Sequence, residues 1–188
     1  GGGGAVSDEE VVESFVASLR LGGAVREYVE AAQLGVVIGG TLYIHGAVTE
    51  ASMGFVPTDN RDGPQEVTGV LEPNARGWVA SLNSWARASV AEWAAAPGWD
   101  AARARRGGSE LMGYCYDAAM QGRSGMIASY LVRGQPVPPP PPVVAYLRGG
   151  GVVRVVVGHK PVGECPLPFR GGGGEVEVVM ADTSYSDA

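Results

Sequence analysis

Short apolar runs of strand length alternate along this chain with longer stretches patterned for helices, and turn-forming residues mark most of the joints. Ser7-Asp8-Glu9-Glu10 has the form of a capping box, which predicts a helix over 8–20. Leu21-Gly22-Gly23 breaks it, and a second helix follows over 24–33. Residues 34–38 and 41–45 read as two strands joined by Gly39-Gly40, a dipeptide suited to the positive φ angles of a tight hairpin. This hairpin brings His45 to an edge of the sheet. Residues 53–72, rich in Pro, Gly, Asp and Asn, read as a loop. Its Asp59, Asn60, Arg61 and Asp62 fit a solvated turn better than a metal or phosphate site, because turns favour these residues for local backbone reasons.

From 73 to 96 the pattern becomes helical, with Pro73 near the start and Trp78, Leu82, Trp85, Val90 and Trp93 spaced for one face. The tryptophans are assigned to core or lid packing. A shorter helix is expected over 109–120 and a strand over 125–131. The run Pro138 to Pro142 stands directly before Val143-Val144-Ala145-Tyr146-Leu147-Arg148, so it is read as a stiff lead into a helix rather than a polyproline ligand. Gly149-Gly150-Gly151 ends that helix. The run 152–157, apolar except for Arg154, predicts a central strand buried on both faces. Gly171 to Gly174 lacks the Lys-Ser/Thr of a P-loop and reads as the hairpin turn between strands at 167–170 and 175–180. The succession predicts an α/β layered architecture with a mixed sheet.

Composition narrows the function classes. With 188 residues, 45% of them apolar and 18% charged, the chain is the size of one domain and can build a core. A net charge of −6 argues against nucleic-acid and anionic-membrane partners. No run of about 18 apolar residues could span a bilayer, so a soluble protein is expected. Cys115 and Cys165 are too few for a disulfide framework or a thiolate zinc site, and reduced thiols in an intracellular compartment are the default. Thirteen of the fourteen basic residues are arginine and only Lys160 is lysine, a bias from which no function is drawn.

The candidate chemistry lies in the only two histidines. Each ends an apolar run: Gly40-Thr41-Leu42-Tyr43-Ile44-His45-Gly46 in one case and Val152 through Gly158-His159-Lys160-Pro161 in the other. Alone, a histidine at a strand end is more often a hydrogen-bonded structural residue than a ligand. Two of them, each past the carboxyl end of a strand, suggest one shared metal ion, with both rings at the same end of one sheet.

Four segments together resemble the C-terminal half of the calcineurin-like metallophosphoesterases, in the branch that includes the Ser/Thr phosphoprotein phosphatases. They are Gly39 to Ala47 with its Ile-His-Gly, Trp78 to Trp85, the Gly-His-x-Pro stretch at Gly158 to Pro166, and Val176 to Ser186. The resemblance covers the chain from about Gly23 to Asp187 and implies half of the family's layered α/β fold. The family's Asp-x-His, Gly-Asp-x-x-Asp and Gly-Asn-His motifs occur nowhere in the 188 residues, so the chain reads as the second half of one catalytic domain.

The resemblance implies hydrolysis of a phosphorylated substrate, a phosphoprotein or a small phosphoester, at a centre of two divalent metal ions (Mn, Fe or Zn). This chain supplies ligands to one ion only, His45 and His159, and no catalytic residue. Gly46, Asp182 and Tyr185 are possible members of the site rim, with hydrogen-bonded loop structure as the alternative for Asp182 and Tyr185. The competing reading is a degenerate, non-catalytic interaction or scaffold domain. A half-sheet of this kind is expected to self-associate or to need a complementing chain.

Overall fold

The structure, a computed structural model, describes residues 6–58, 68–102, 106–116, 121–171 and 176–184. The chain divides into two compact units, residues 1–32 and 33–188. The first is a pair of helices, α1 (Asp8–Leu19) and α2 (Ala24–Ala31). The capping box at its start is formed: the Glu10 amide donates to Ser7 Oγ at 3.3 Å, and the Ser7 amide donates to Glu10 Oε2 at 2.8 Å. Gly22 takes a φ of +79°, and a Cβ on Gly23 would stand 2.3 Å from the Ser18 carbonyl oxygen, so glycine is required where the chain turns from one helix into the next.

The second unit is an α/β structure. Its elements in chain order are β1 (Gly35–Ile38), β2 (Thr41–Ile44), β3 (Phe55–Pro57), β4 (Gly69–Leu71), α3 (Ala75–Ala95), α4 (Ser109–Tyr116), β5 (Leu131–Val132), β6 (Gln135–Pro136), α5 (Pro141–Gly149), β7 (Arg154–Val157), β8 (Leu167–Arg170) and β9 (Glu177–Met180). Five strands form one mixed sheet in the order β1-β2-β7-β9-β8. Its middle strands β2, β7 and β9 are mutually parallel, while β1 and β8 pair antiparallel at the two edges. The hairpin between β1 and β2 has the expected two-residue loop, although only Gly39 takes a positive φ, +59°.

Alternation along the strands sets the core. Leu42, Ile44, Val155, Val157, Val178 and Met180 are all buried on one face, against Trp78 and Leu82 of α3 and Val143 and Leu147 of α5. Helix α3 begins at the N-cap Asn74, whose side chain accepts from the Gly77 amide, and its buried stripe includes Ala75, Trp78, Val79, Leu82, Asn83 and Ala86. Trp78 Nε1 donates to the Phe55 carbonyl at 2.9 Å, while Trp85 and Trp93 are half-buried. Pro141 and Pro142 form the first turn of α5, where their missing amides cost nothing.

Three expectations differ from the structure. Residues 53–72 were read as loop, but Phe55–Pro57 and Gly69–Leu71 pair as an antiparallel ladder; Asp59 to Asp62 lie outside the described residues. Residues 125–131 form no strand of the main sheet: only Leu131 and Val132 pair, with Gln135 and Pro136. The apolar residues there are explained by burial, since Tyr130 is buried, Met126 and Ala128 pack on the core from irregular chain, and Leu131 does so from the short strand β5. Strand β7 is central but not buried on both faces. Its pattern alternates, with Val155 and Val157 buried, Val156 half-buried and Arg154 exposed.

The face opposite the core therefore carries its own rows. Val36, Tyr43, Val156, Val179 and Pro168 align across all five strands, three of them exposed and Val156 and Val179 half-buried. In the next row, Arg154 and Arg170 both bond the Glu177 carboxylate, the latter at 3.1 Å.

Candidate functional site

Three polar side chains stand directly beyond the carboxyl ends of the three parallel strands. His45 follows β2, Gly158-His159 follows β7, and Asp182 stands two residues past the end of β9. These strands are neighbours in the sheet, so one end of it collects all three residues. Because neighbouring parallel strands point their carboxyl ends the same way, this is where open α/β sheets form ligand crevices. His45 thus lies beyond an inner strand rather than an edge strand.

Backbone bonds hold this end together. The Gly158 amide donates to the His45 carbonyl at 2.9 Å, and the Ala181 amide donates to the Val157 carbonyl at 2.8 Å. Beyond the strands, the Val162 amide donates to the Asp182 carbonyl at 3.2 Å, and the Ser184 amide donates to the Gly163 carbonyl at 2.8 Å. On the other side, the Gly46 and Ala47 amides donate to the carbonyls of Gly125 and Ala128, at 2.9 and 2.7 Å. A Cβ on Gly46 would lie 2.7 Å from the Met126 carbonyl carbon, so the glycine lets the 125–128 segment seat against the turn that carries His45. Gly46 is therefore a buried point of close backbone approach beside the site.

The rings of His45 and His159 meet edge to face, with centroids 5.3 Å apart and planes at 73°. Two nitrogens bound to one tetrahedral ion at ~2.0–2.1 Å lie about 3.3 Å apart. His159 has a φ of +73°, one of three non-glycine residues with positive φ among the described residues. Such a backbone is strained for a side chain of this size and concentrates at functional positions. The surrounding depression, about 460 Å³ in volume, is lined by Tyr43, His45, Val157, Gly158, His159 and Asp182 among others.

Burial pushes the His159 imidazole below its ordinary pKa of 6.5, the neighbouring His45 and Lys160 add to that, and Asp182 opposes it. A neutral imidazole offers a lone pair, which is the form a metal or a hydrogen-bond donor can use. The donor set nonetheless fits the two-ion centre poorly. Among the described residues, no three His, Cys, Asp or Glu side chains come together closely enough, as they stand, to hold a metal ion. Two imidazoles fit part of the shell of one ion.

Of the residues singled out in the sequence, the structure brings His45, His159, Gly46 and Asp182 to this end of the sheet, while Tyr185 lies outside the described residues. Sequence reading gave Lys160 no part in the site, although it is the chain's sole lysine, and its charge helps lower the pKa of the adjoining His159. It also missed Tyr43 and Val156, whose side chains reach the site from the face opposite the core. Cys115 and Cys165 are both free thiols. No helix among the described residues is long and apolar enough to cross a membrane. No family model matches the chain, nor does any curated protein or solved structure.

Proposed function

We propose that this chain is the part of a metal-dependent phosphoester hydrolase that supplies two imidazoles, His45 and His159, to one ion of a dinuclear centre, the remaining donors coming from polypeptide outside these 188 residues. One observation carries the reading: two histidines remote in sequence meet with ring centroids 5.3 Å apart beyond the ends of adjacent parallel strands. When bound, divalent ions at such a centre polarise the phosphoryl oxygens and lower the pKa of the attacking water. The chain's own contribution is positional. The Gly158 amide donates to the His45 carbonyl and ties the two loops together, and burial favours the neutral form of His159, the form that offers a lone pair. The nucleophile-bridging carboxylate and the general acid are not encoded in the described residues.

A second reading, a non-catalytic interaction domain that keeps the fold, is favoured by the lack of any three-group donor cluster among the described residues. Hydrolysis of p-nitrophenyl phosphate separates the two. With Mn²⁺ the purified chain is expected to stay near background, and His45→Ala to change that little. Supplying a polypeptide that carries Asp-x-His, Gly-Asp-x-x-Asp and Gly-Asn-His motifs, fused ahead of residue 1, is expected to give Mn²⁺-dependent turnover that His45→Ala or His159→Ala lowers by about a hundredfold or more. A well-folded fusion without turnover favours the interaction domain. Robust hydrolysis by the 188 residues alone, abolished by His45→Ala, shows that the site is built from other residues.

A further inference from the structure

His159 is the central residue of a γ-turn. Its φ is +73°, and the Lys160 amide donates to the Gly158 carbonyl at 3.0 Å across it. With φ of this sign a γ-turn is rare and strained, because the Cβ of an L residue crowds its own backbone. Gln121 and Arg133, the other non-glycine residues of positive φ among the described residues, differ. They lie at +51° and +52°, near the left-handed helical minimum, and each precedes a glycine of positive φ in an exposed turn. Glycine would also suit position 159 better, yet the chain carries an imidazole there. Among the described residues that ring makes no hydrogen bond to offset the strain, and it is only half-buried, with its edge-to-face contact to His45 at 5.3 Å. A histidine kept for the fold alone would be hydrogen-bonded or fully packed.

We infer that the strained turn at 158–160 is a positioning device, which holds the His159 imidazole against His45 for a bound group at a cost to the stability of the fold. Strain of this kind persists where the surroundings over-determine the backbone, and here both flanks are tied down. On one side the Gly158 amide donates to the His45 carbonyl at 2.9 Å. On the other, the Val162 amide donates to the Asp182 carbonyl at 3.2 Å. The turn therefore cannot reverse its hand without disturbing a bond to a neighbouring strand-end loop. The binding half of this inference rests on the function proposed above, whereas the strain half rests on the backbone alone.

Thermal melts of the 188-residue chain test the strain, comparing the parent with His159→Gly and His159→Ala at one pH and one protein concentration. Both variants lose the ring, but only glycine also relieves the turn. His159→Gly is expected to melt above the parent, and about 2–4 °C above His159→Ala. In the fusion that carries the remaining motifs, the same His159→Gly is expected to lower Mn²⁺-dependent turnover by about a hundredfold or more despite its higher melt. Equal melts for the two variants would mean that position 159 carries no strain, and a His159→Gly melt below the parent would mean that the ring serves the fold. Either result overturns the inference, as does a fusion whose turnover survives His159→Gly. A fusion that never turns over overturns the hydrolase reading and the binding half with it, and the melts still decide the strain.

Discussion

His159 is the residue on which sequence, backbone and electrostatics meet. Its positive φ turns the chain sharply after Gly158, and the turn aims the ring at His45. The cause of its lowered pKa is first burial and then the adjacent imidazole and ammonium, with Asp182 pulling the other way. The neutral form is favoured in the folded chain, so the unfolded chain binds more protons between the lowered folded value and the ordinary value of 6.5. By linkage, the contribution of His159 to stability is complete above 6.5 and declines as the pH falls through the folded pKa. Imidazole C–H shifts followed by NMR against pH are expected to give a His159 midpoint below 6.5, and His45→Ala is expected to raise it. A midpoint at or above 6.5 in the parent chain would mean that the burial and the neighbouring positive charges do not act as described.

At the scale of elements, Asn83 joins helix to sheet through its side chain. Its Oδ1 accepts from the amides of Leu34 and Gly35, at 2.9 and 3.4 Å, and its Nδ2 donates to the Gly35 carbonyl at 2.8 Å. These bonds tie the middle of α3 to the start of β1, and the side chain is 7% exposed. Asn83→Ala leaves polar backbone groups buried without partners and is expected to lower stability by about 2–3 kcal/mol, read as a lower urea midpoint at unchanged slope. A loss of under ~0.5 kcal/mol would mean that water satisfies those groups and the tie is dispensable. Nothing local in the sequence announces this asparagine, because its role depends on which strand the helix crosses. The strands that carry the site were legible for the opposite reason: the apolar runs at 41–45 and 152–157 and the turn residues at their ends are local signals. So were the Ser7 capping box and the proline lead into α5. The strand expected at 125–131 failed because burial, not pairing, sets its apolar content. β3 and β4 were obscured because three-residue strands, one ending in Pro57 and the other starting at Gly69, leave no periodicity to read. The convergence of Asp182 with the histidines needed the strand order, which no local pattern contains.

For the second unit as a whole, what matters is that a sheet with one covered face still bears an apolar row on the other. Val36, Tyr43, Val156, Val179 and Pro168 run from edge to edge, beside the ion-paired row of Arg154, Glu177 and Arg170. Tyr43 is 42% exposed and Val36 is 36% exposed, and an apolar stripe at such exposure favours association over solvation. The two edge strands, β1 and β8, add unpaired backbone groups that promote pairing with another copy. Edge charge at Arg170 and Pro168 on β8 oppose such pairing, which directs association toward the face rather than that edge. We therefore expect the chain to self-associate as its concentration rises, with a broad, concentration-dependent melt, and we expect Val156→Lys to restore a monomer because it places a charge at the centre of the row on the most central strand. Light scattering and calorimetry on the parent and the variant, at several concentrations, check this. A monodisperse parent monomer with a sharp cooperative melt independent of concentration would show that the open face is stable in water and that the unit needs no second layer.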